Sequence, residues 1–348
     1  MNRRAYKKEK KKSSKKRKFL TVSLIVIGSL LISLSTYAVF LTKKAETAAD
    51  KAFEIVDNRD QSPLRDEKVE PLNDNVSVLF IGIDDSEQRG QGDTNSRSDA
   101  LMLATLNNKT KTVKLVSVPR DSYVYIDEVG YEDKITHAHS YGGTRASIET
   151  IEDLLEVPVD YYVKMNFDAF IDVIDALGGI EAEVPYKLLE KDENDQRTVA
   201  LNPGLQELNG REALALARTR KLDNDIERGK RQQMILSSII KKASSASSFT
   251  KYGEVIDAVG ENMKTDLTFD EMKSFFEYIK KGMPQIDTLS LEGYDDMSTG
   301  VYYWKLDDES LDETRDILKS HLGLQPETSN ISGNNSDKSS NYAADSRP

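Results

Sequence analysis

The sequence predicts an α/β fold: a single extracellular α/β(α) sandwich domain with a central mixed sheet, preceded by one N-terminal transmembrane helix. Three observations lead there. Val76–Ile83, Asp99–Asn107 and Val113–Val118 are apolar enough to be buried sheet strands. Beyond them strand-like and helix-like stretches alternate, the pattern of a sheet covered by helices on both faces. Ahead of them, Phe19–Thr42 runs for twenty-four residues without a charge.

A helix of that length measures about 36 Å against a hydrocarbon layer of about 30 Å, so it spans with some tilt. Residues 1–18 carry eleven Lys/Arg and one Glu, whereas only Lys43 and Lys44 follow the apolar run. That asymmetry makes 1–18 a cytoplasmic basic segment touching anionic lipid, 19–42 the transmembrane helix, and everything after it extracellular. A cleaved signal peptide is the alternative, but its apolar region normally has about 7–15 residues. Ala45–Val56 is compatible with a helix and Asp57–Asn75 is polar with Pro63 and Pro71, so 43–75 reads as a stalk and linker.

The chain of 348 residues has a formal net charge of −11; residues 1–18 hold +10, so the rest holds −21. An acidic body offers nucleic acid no broad surface, and a transcription regulator would need its reader on the other side of the membrane. Without cysteine there is neither disulfide bracing nor thiol chemistry.

The globular domain is expected over 76–324. Tyr123–Ile126 reads as a strand, and Asp133–His139 opens a helical or irregular segment. Ile148–Leu155 has helical spacing ahead of Pro158. Tyr161–Phe167 is the next strand, and Asp168–Leu177 is a helix stopped by Gly178-Gly179. Ile180–Val184 follows as a strand, and Lys187–Thr198 reads as a solvated charged loop. Arg211–Thr219, Asp225–Lys242, Phe269–Met283 and Leu311–Leu322 read as helices. Tyr302-Tyr303-Trp304 reads as a core strand, and the Ser/Asn/Asp-rich tail 325–348 is expected to be disordered.

Charges gather at the strand ends: Asp84, Asp85, Arg97, Asp99, Arg120 and Asp121. Ligands of open α/β sheets bind on that rim. Arg228, Arg231, Gln232, Ile235 and Ile239 fall at i, i+3, i+4, i+7 and i+11, so two arginines share an inward face near a helix N-terminus. Buried guanidinium groups need a carboxylate or a bound anion; a purely structural ion-pair network is the alternative reading. Arg97, Arg120, Arg218, Arg220, Arg228 and Arg231 exceed what one phosphate requires. Two linked phosphates with a metal fit that inventory. Outside a cell, with no Walker-type loop, a lipid-linked pyrophosphate is the natural candidate. His137 and His139, two residues apart, do not share a helix face and so argue against a histidine metal site, although His139 has a place in the cleft.

The sequence also resembles the LytR-CpsA-Psr family of cell-wall glycopolymer ligases. The matching pieces are Leu79–Asp84 (LFIGID), Arg97–Asp99 (RSD), Val118–Asp121 (VPRD), Asp133–Ile135 (DKI), Val163–Leu177 with Gly178-Gly179, Leu208–Arg220 (LNGREALALARTR) and Arg228–Gln232 (RGKRQ). The resemblance implies a phosphotransferase that moves a glycopolymer such as teichoic acid from undecaprenyl pyrophosphate to peptidoglycan. The product is a phosphodiester at a muramic-acid C6 hydroxyl. It implies Mg²⁺ (or Mn²⁺) on Asp84 and Asp99, and pyrophosphate held by Arg97, Arg120, Arg218, Arg220, Arg228, Arg231 and Gln232. The expected partners are the polyprenyl-pyrophosphate-linked glycopolymer, peptidoglycan and the membrane of a Gram-positive-type bacterium. Asp121, beside Arg120, is the expected base for the sugar hydroxyl.

The chain departs from the family pattern at Ser86, where many members have arginine and where Arg89 is the nearby substitute. It departs again at Asn224–Arg228 (NDIER), which lacks two glycines. A pyrophosphatase using water, or a non-catalytic wall-binding protein, are the competing readings.

Overall fold

The alternation of apolar residues in Val76–Ile83 buries both of its faces, and this strand, β1, is central in the computed structural model. The structure describes residues 3–57, 59–84, 96–192, 198–220, 224–244, 255–258, 260, 263–280 and 282–324. Asp85, Ser86, Arg89 and the tail 325–348 lie outside the described residues. β2 (Ser98–Asn107) pairs antiparallel with β1 and with β3 (Thr112–Val118). β6 (Tyr161–Met165) runs parallel on the other side of β1. With β11 (Met263–Thr265) and β12 (Gln285–Ser290) the sheet is mixed and six-stranded, ordered β11-β6-β1-β2-β3-β12.

One face of this sheet packs against α2 (Thr136–Leu155) and α7 (Asp308–Leu322). There Leu79, Ile81, Leu101 and Leu103 meet Ile148, Ile151, Leu318 and Leu322, all nearly solvent-free. The other face lies under α5 (Asp225–Ala243) and α6 (Phe269–Lys280), where Met102, Leu115 and Tyr278 form a smaller cluster. Burial on both sides explains why the strands read as continuous apolar runs. A second layer joins α3 (Phe167–Leu177) and α4 (Gly210–Arg218) to the pair β7 (Ile180–Val184) and β10 (Gly204–Leu208). β4 (Tyr123–Ile126) with β5 (Tyr131–Lys134), and β13 (Gly293–Asp296) with β14 (Tyr303–Leu306), form two outlying ribbons.

Four expectations need correction. The basic tip, apolar run and following turns form one helix, α1 (Arg3–Ala52), in which Val26–Ala52 is long and apolar enough to cross a membrane. Residues 43–75 are not a free stalk. Ala48, Ala49 and Ala52 are buried, and Arg59 and Arg65 donate to Glu152 and Asp160 in the domain. Within the expected loop 187–198, β8 (Leu188–Lys191) pairs with β9 (Thr198–Leu201), because Leu188 and Leu201 turn inward on the second layer. Asp133–His139 is divided between the end of β5 and the start of α2.

Candidate active site

Between α5 and one face of the sheet lies a cavity of about 560 Å³. Phe80, Gly82, Ala100 and Met102 floor it; in register Phe80 faces Met102 and Gly82 faces Ala100, so all four share one face. α3, α4 and α5 supply Phe170, Leu214, Leu236, Ile239 and Ile240 as walls. Polarity changes along α5: Arg228 and Gln232 line the cavity from its first turns, Ile239 and Ile240 from its end. At about 1.5 Å per residue, the charged and greasy ends are separated by roughly 16 Å.

The strand ends complete the charged end. Asp84 directly follows β1 and is 6% exposed. Between Gly82↔Ala100 and Ile83↔Ser98 the register shifts by one, leaving Asp99 as the extra residue of a bulge. A bulge re-aims side chains, and here it turns the Asp99 carboxylate to the same cavity as Ala100. Arg120 Nη1 donates to Asp99 Oδ1 at 2.6 Å. Arg218, the last residue of α4, lies with its guanidinium carbon 4.7 Å from the Phe167 ring centre. Arg220 spans toward Asp225 Oδ1 at 3.5 Å and Asp121 Oδ2 at 3.9 Å. Arg228 Nη1 sits 3.4 Å from Asp225 Oδ1.

Of the predicted residues, Asp84, Asp99, Arg120, Arg218, Arg220, Arg228 and Gln232 line one cavity. Two predicted anion contacts do not join them. Arg97 is exposed ahead of β2 and lines none of this cavity, since the strand buries Ser96 and Ser98 on either side of it. Arg231 is buried and donates to the carbonyls of Leu216 at 3.0 Å and Thr219 at 2.5 Å, closing the C-terminus of α4. Nor does His139 reach the cleft: it is fully buried, with Nδ1 2.8 Å from the Ser96 carbonyl.

Asp121 stands just behind this wall. Burial raises its pKa, but the hydrogen bond from Lys134 and the charge of Arg120 outweigh that and hold it below the ordinary carboxylate range. Asp225 is pushed the other way by burial and by Asp121 beside it, against the pull of Arg228 and Arg220. Burial also pulls the Arg228 guanidinium down, with Asp225 opposing. Sequence reasoning counts Asp225 among the carboxylates set between the arginines but gives no role to Lys134. The signal for Lys134 was present, within the Asp-Lys-Ile piece.

Asp84 and Asp99 offer only hard oxygen donors. Among the described residues no group of three or more His, Cys, Asp or Glu side chains is placed to hold a metal. Mg²⁺ is commonly bound by one or two carboxylates together with substrate phosphate and water, and this donor set fits it.

A greasy cavity capped at one end by four arginines and two carboxylates gives this α/β domain the chemistry to take an amphiphile with an anionic head. Comparison with known proteins is narrower. The LytR_cpsA_psr family model matches residues 38–320, and the chain belongs to this family. It is 38% identical over 317 residues to the polyisoprenyl-teichoic acid–peptidoglycan teichoic acid transferase TagT of Bacillus subtilis, covering 90% of this chain and 98% of that one. The TagU transferase of Bacillus licheniformis is 37% identical over 314 residues, 89% of this chain and 98% of that one. A solved structure of TagT bound to LIIa-WTA superposes with a TM-score of 0.66 at 38% identity, covering 78% of this chain and 99% of that one. TagT with bound octaprenyl pyrophosphate lipid gives 0.62 at 35% identity, with the same coverage.

Proposed function

We propose that this protein is a membrane-anchored phosphotransferase. It moves a glycopolymer of teichoic-acid type from a polyprenyl-pyrophosphate carrier to peptidoglycan, forming a phosphodiester at a muramic-acid C6 hydroxyl. The carrying observation is the polarity of the cavity, arginines and carboxylates at one end and aliphatic walls at the other. That is the outline of a prenyl diphosphate, and the named relatives act on or hold such molecules. The basic segment 1–18 faces the cytoplasm and the domain the wall side.

In this reading Arg120, Arg218, Arg220 and Arg228, with Gln232, hold the diphosphate and offset charge that builds on the leaving lipid phosphate. Asp84 and Asp99 are the residues that would hold Mg²⁺ (or Mn²⁺), which supplies further neutralisation of the diphosphate. The acceptor oxygen bonds to the phosphorus carrying the glycopolymer, the bond from that phosphorus to the bridging oxygen breaks, and polyprenyl phosphate departs. Asp121, kept ionised by Lys134 and Arg120, takes the hydroxyl proton.

The test incubates the full chain in detergent with a lipid-pyrophosphoryl glycopolymer, a peptidoglycan glycan oligomer and Mg²⁺. Glycan carrying the polymer supports transfer. Free polymer phosphate alone makes the protein a pyrophosphatase, and an untouched lipid ends both readings. Asp121→Asn is expected to slow transfer about 10²–10⁴-fold; turnover at the wild-type rate would remove Asp121 from the mechanism.

A further inference from the structure

On the side of Asp121 away from the cavity, the two outlying ribbons form an aromatic ledge. β4 alternates, with Val124 and Ile126 turned in and Tyr123 and Tyr125 turned out; Tyr125 is 51% exposed. Lys134 is the register partner of Tyr123, so it shares the outward face. From β14 the Tyr303 ring meets Tyr123 edge-on, with centroids 4.6 Å apart. The Lys134 ammonium lies 5.7 Å from the Tyr302 and Tyr303 ring centres and 2.9 Å from Asp121 Oδ1. The ribbon is fixed to the site: the Trp304 amide donates to the Asp121 carbonyl at 2.8 Å, and the Tyr302 hydroxyl donates to Asp295 at 2.8 Å. None of these tyrosines lines the cavity. Tyr302 and Tyr303 were expected to be core rather than a sugar platform, yet both are only half-buried.

Asp121 is therefore a divide. Its neighbours Arg120 and Arg220 belong to the cavity, and its neighbour Lys134 belongs to the ledge. With the donor diphosphate in the cavity, an attacking hydroxyl has to approach Asp121 from the ledge side. The surface there suits a saccharide: the C–H face of a sugar ring stacks on an aromatic face, while its hydroxyls and amides find ammonium and carboxylate groups between the rings. Lys134 beside Tyr302 and Tyr303, and Lys305 over the Tyr123 ring, make this a poor seat for the aliphatic core of a protein partner.

We propose that the Tyr302–Tyr303–Tyr123–Tyr125 ledge is the acceptor subsite and seats a glycan strand of the acceptor polymer beside Asp121. The proposal rests on the transfer reading above and names where its second substrate lies. Trp304 is the sole tryptophan and sits within the ledge ribbon, so it reports on occupancy without turnover.

The experiment titrates the full chain in detergent with a peptidoglycan glycan-strand tetrasaccharide, without donor, and follows tryptophan fluorescence. Wild type should give a saturable change. Tyr125→Ala with Tyr302→Ala should weaken binding about tenfold or more. Tyr302→Phe, which keeps the ring, should stay near wild type. In the transfer assay the acceptor KM should rise in the same proportion while the donor KM holds, and thermal melts of the variants should match wild type. Wild-type glycan affinity and acceptor KM in the double alanine variant overturn the ledge. A glycan signal that is lost in that variant, from a protein that transfers nothing to any acceptor, supports the ledge while removing the transfer reading.

Discussion

Arg228 and Arg231 share one helical stripe, yet the structure gives them different work. Arg228 faces the cavity beside Asp225, whereas Arg231 bonds two carbonyls at the end of α4. Lysine keeps the charge but not the planar fork. Arg228→Lys is thus expected to lower kcat/KM for the lipid donor about 10–100-fold with little change in stability. Arg231→Lys should cost about 1–2 kcal/mol in urea unfolding, since a single ammonium nitrogen replaces two guanidinium nitrogens that each meet their own carbonyl. The spacing made the inward face legible, but not which arginine meets ligand, because the carbonyls that claim Arg231 come from another helix. A second residue effect lies away from the site. His321 is buried with Nδ1 and Nε2 each 2.8 Å from the hydroxyls of Thr105 and Thr112. Burial, aided by the charge of Lys114 and opposed by Asp287, lowers its pKa from 6.5 to about 4. The folded value is below the unfolded one, so its stabilisation is whole above the unfolded pKa and is lost as pH falls from there toward about 4. Unfolding free energies from urea titrations at pH 7 and pH 5 should differ by about 2 kcal/mol more for wild type than for His321→Gln.

The element that best rewards a close reading is α4. Its start is legible: Asn209 caps the Glu212 amide at 3.0 Å and Glu212 returns to the Asn209 amide at 2.9 Å, a capping box. The glycine between them is not explained by capping. A Cβ on Gly210 would lie 2.7 Å from Ile171 Cα and 2.8 Å from its carbonyl carbon, so α4 touches α3 through bare backbone. Gly210→Ala has to push the helices apart, at about 1–3 kcal/mol, and carry Arg218 with them. The urea midpoint should fall with its slope unchanged, and donor affinity should fall with it. The contact was hidden in sequence because Ile171 lies on another helix, well upstream. The long helices and buried strands were legible from their periodicity, since each buries a face against the sheet. The β8–β9 pair was missed because four-residue strands with charged outer positions look like a solvated loop. The Asp99 bulge was equally hidden, since nothing local distinguishes it from a regular strand residue.

At the scale of the whole molecule, the long apolar helix α1 and the cavity are tied together. α1 ends in buried Ala48, Ala49 and Ala52, and Phe53 then bridges to Thr265 in β11, the strand whose Met263 lines the cavity. Two clamps continue the fixation. Glu152 takes Arg59 at 2.9 and 2.7 Å and the Val159 amide at 2.8 Å; Asp160 takes Arg65 at 2.9 and 2.8 Å and the Ser77 amide at 2.8 Å. Reading 57–75 as a linker follows from its polarity and prolines, yet those polar groups are partners of carboxylates about ninety residues later. Starting the chain at Val76 would leave Glu152 and Asp160 buried without their arginines, at about 3–5 kcal/mol each. Against a total stability of about 5–15 kcal/mol, that loss is enough to abolish folding. A chain of residues 76–324 is therefore expected to lack a cooperative melt in circular dichroism, while residues 45–324 should melt cooperatively. Equal melts from both would show the strap between α1 and β1 to be dispensable to the fold.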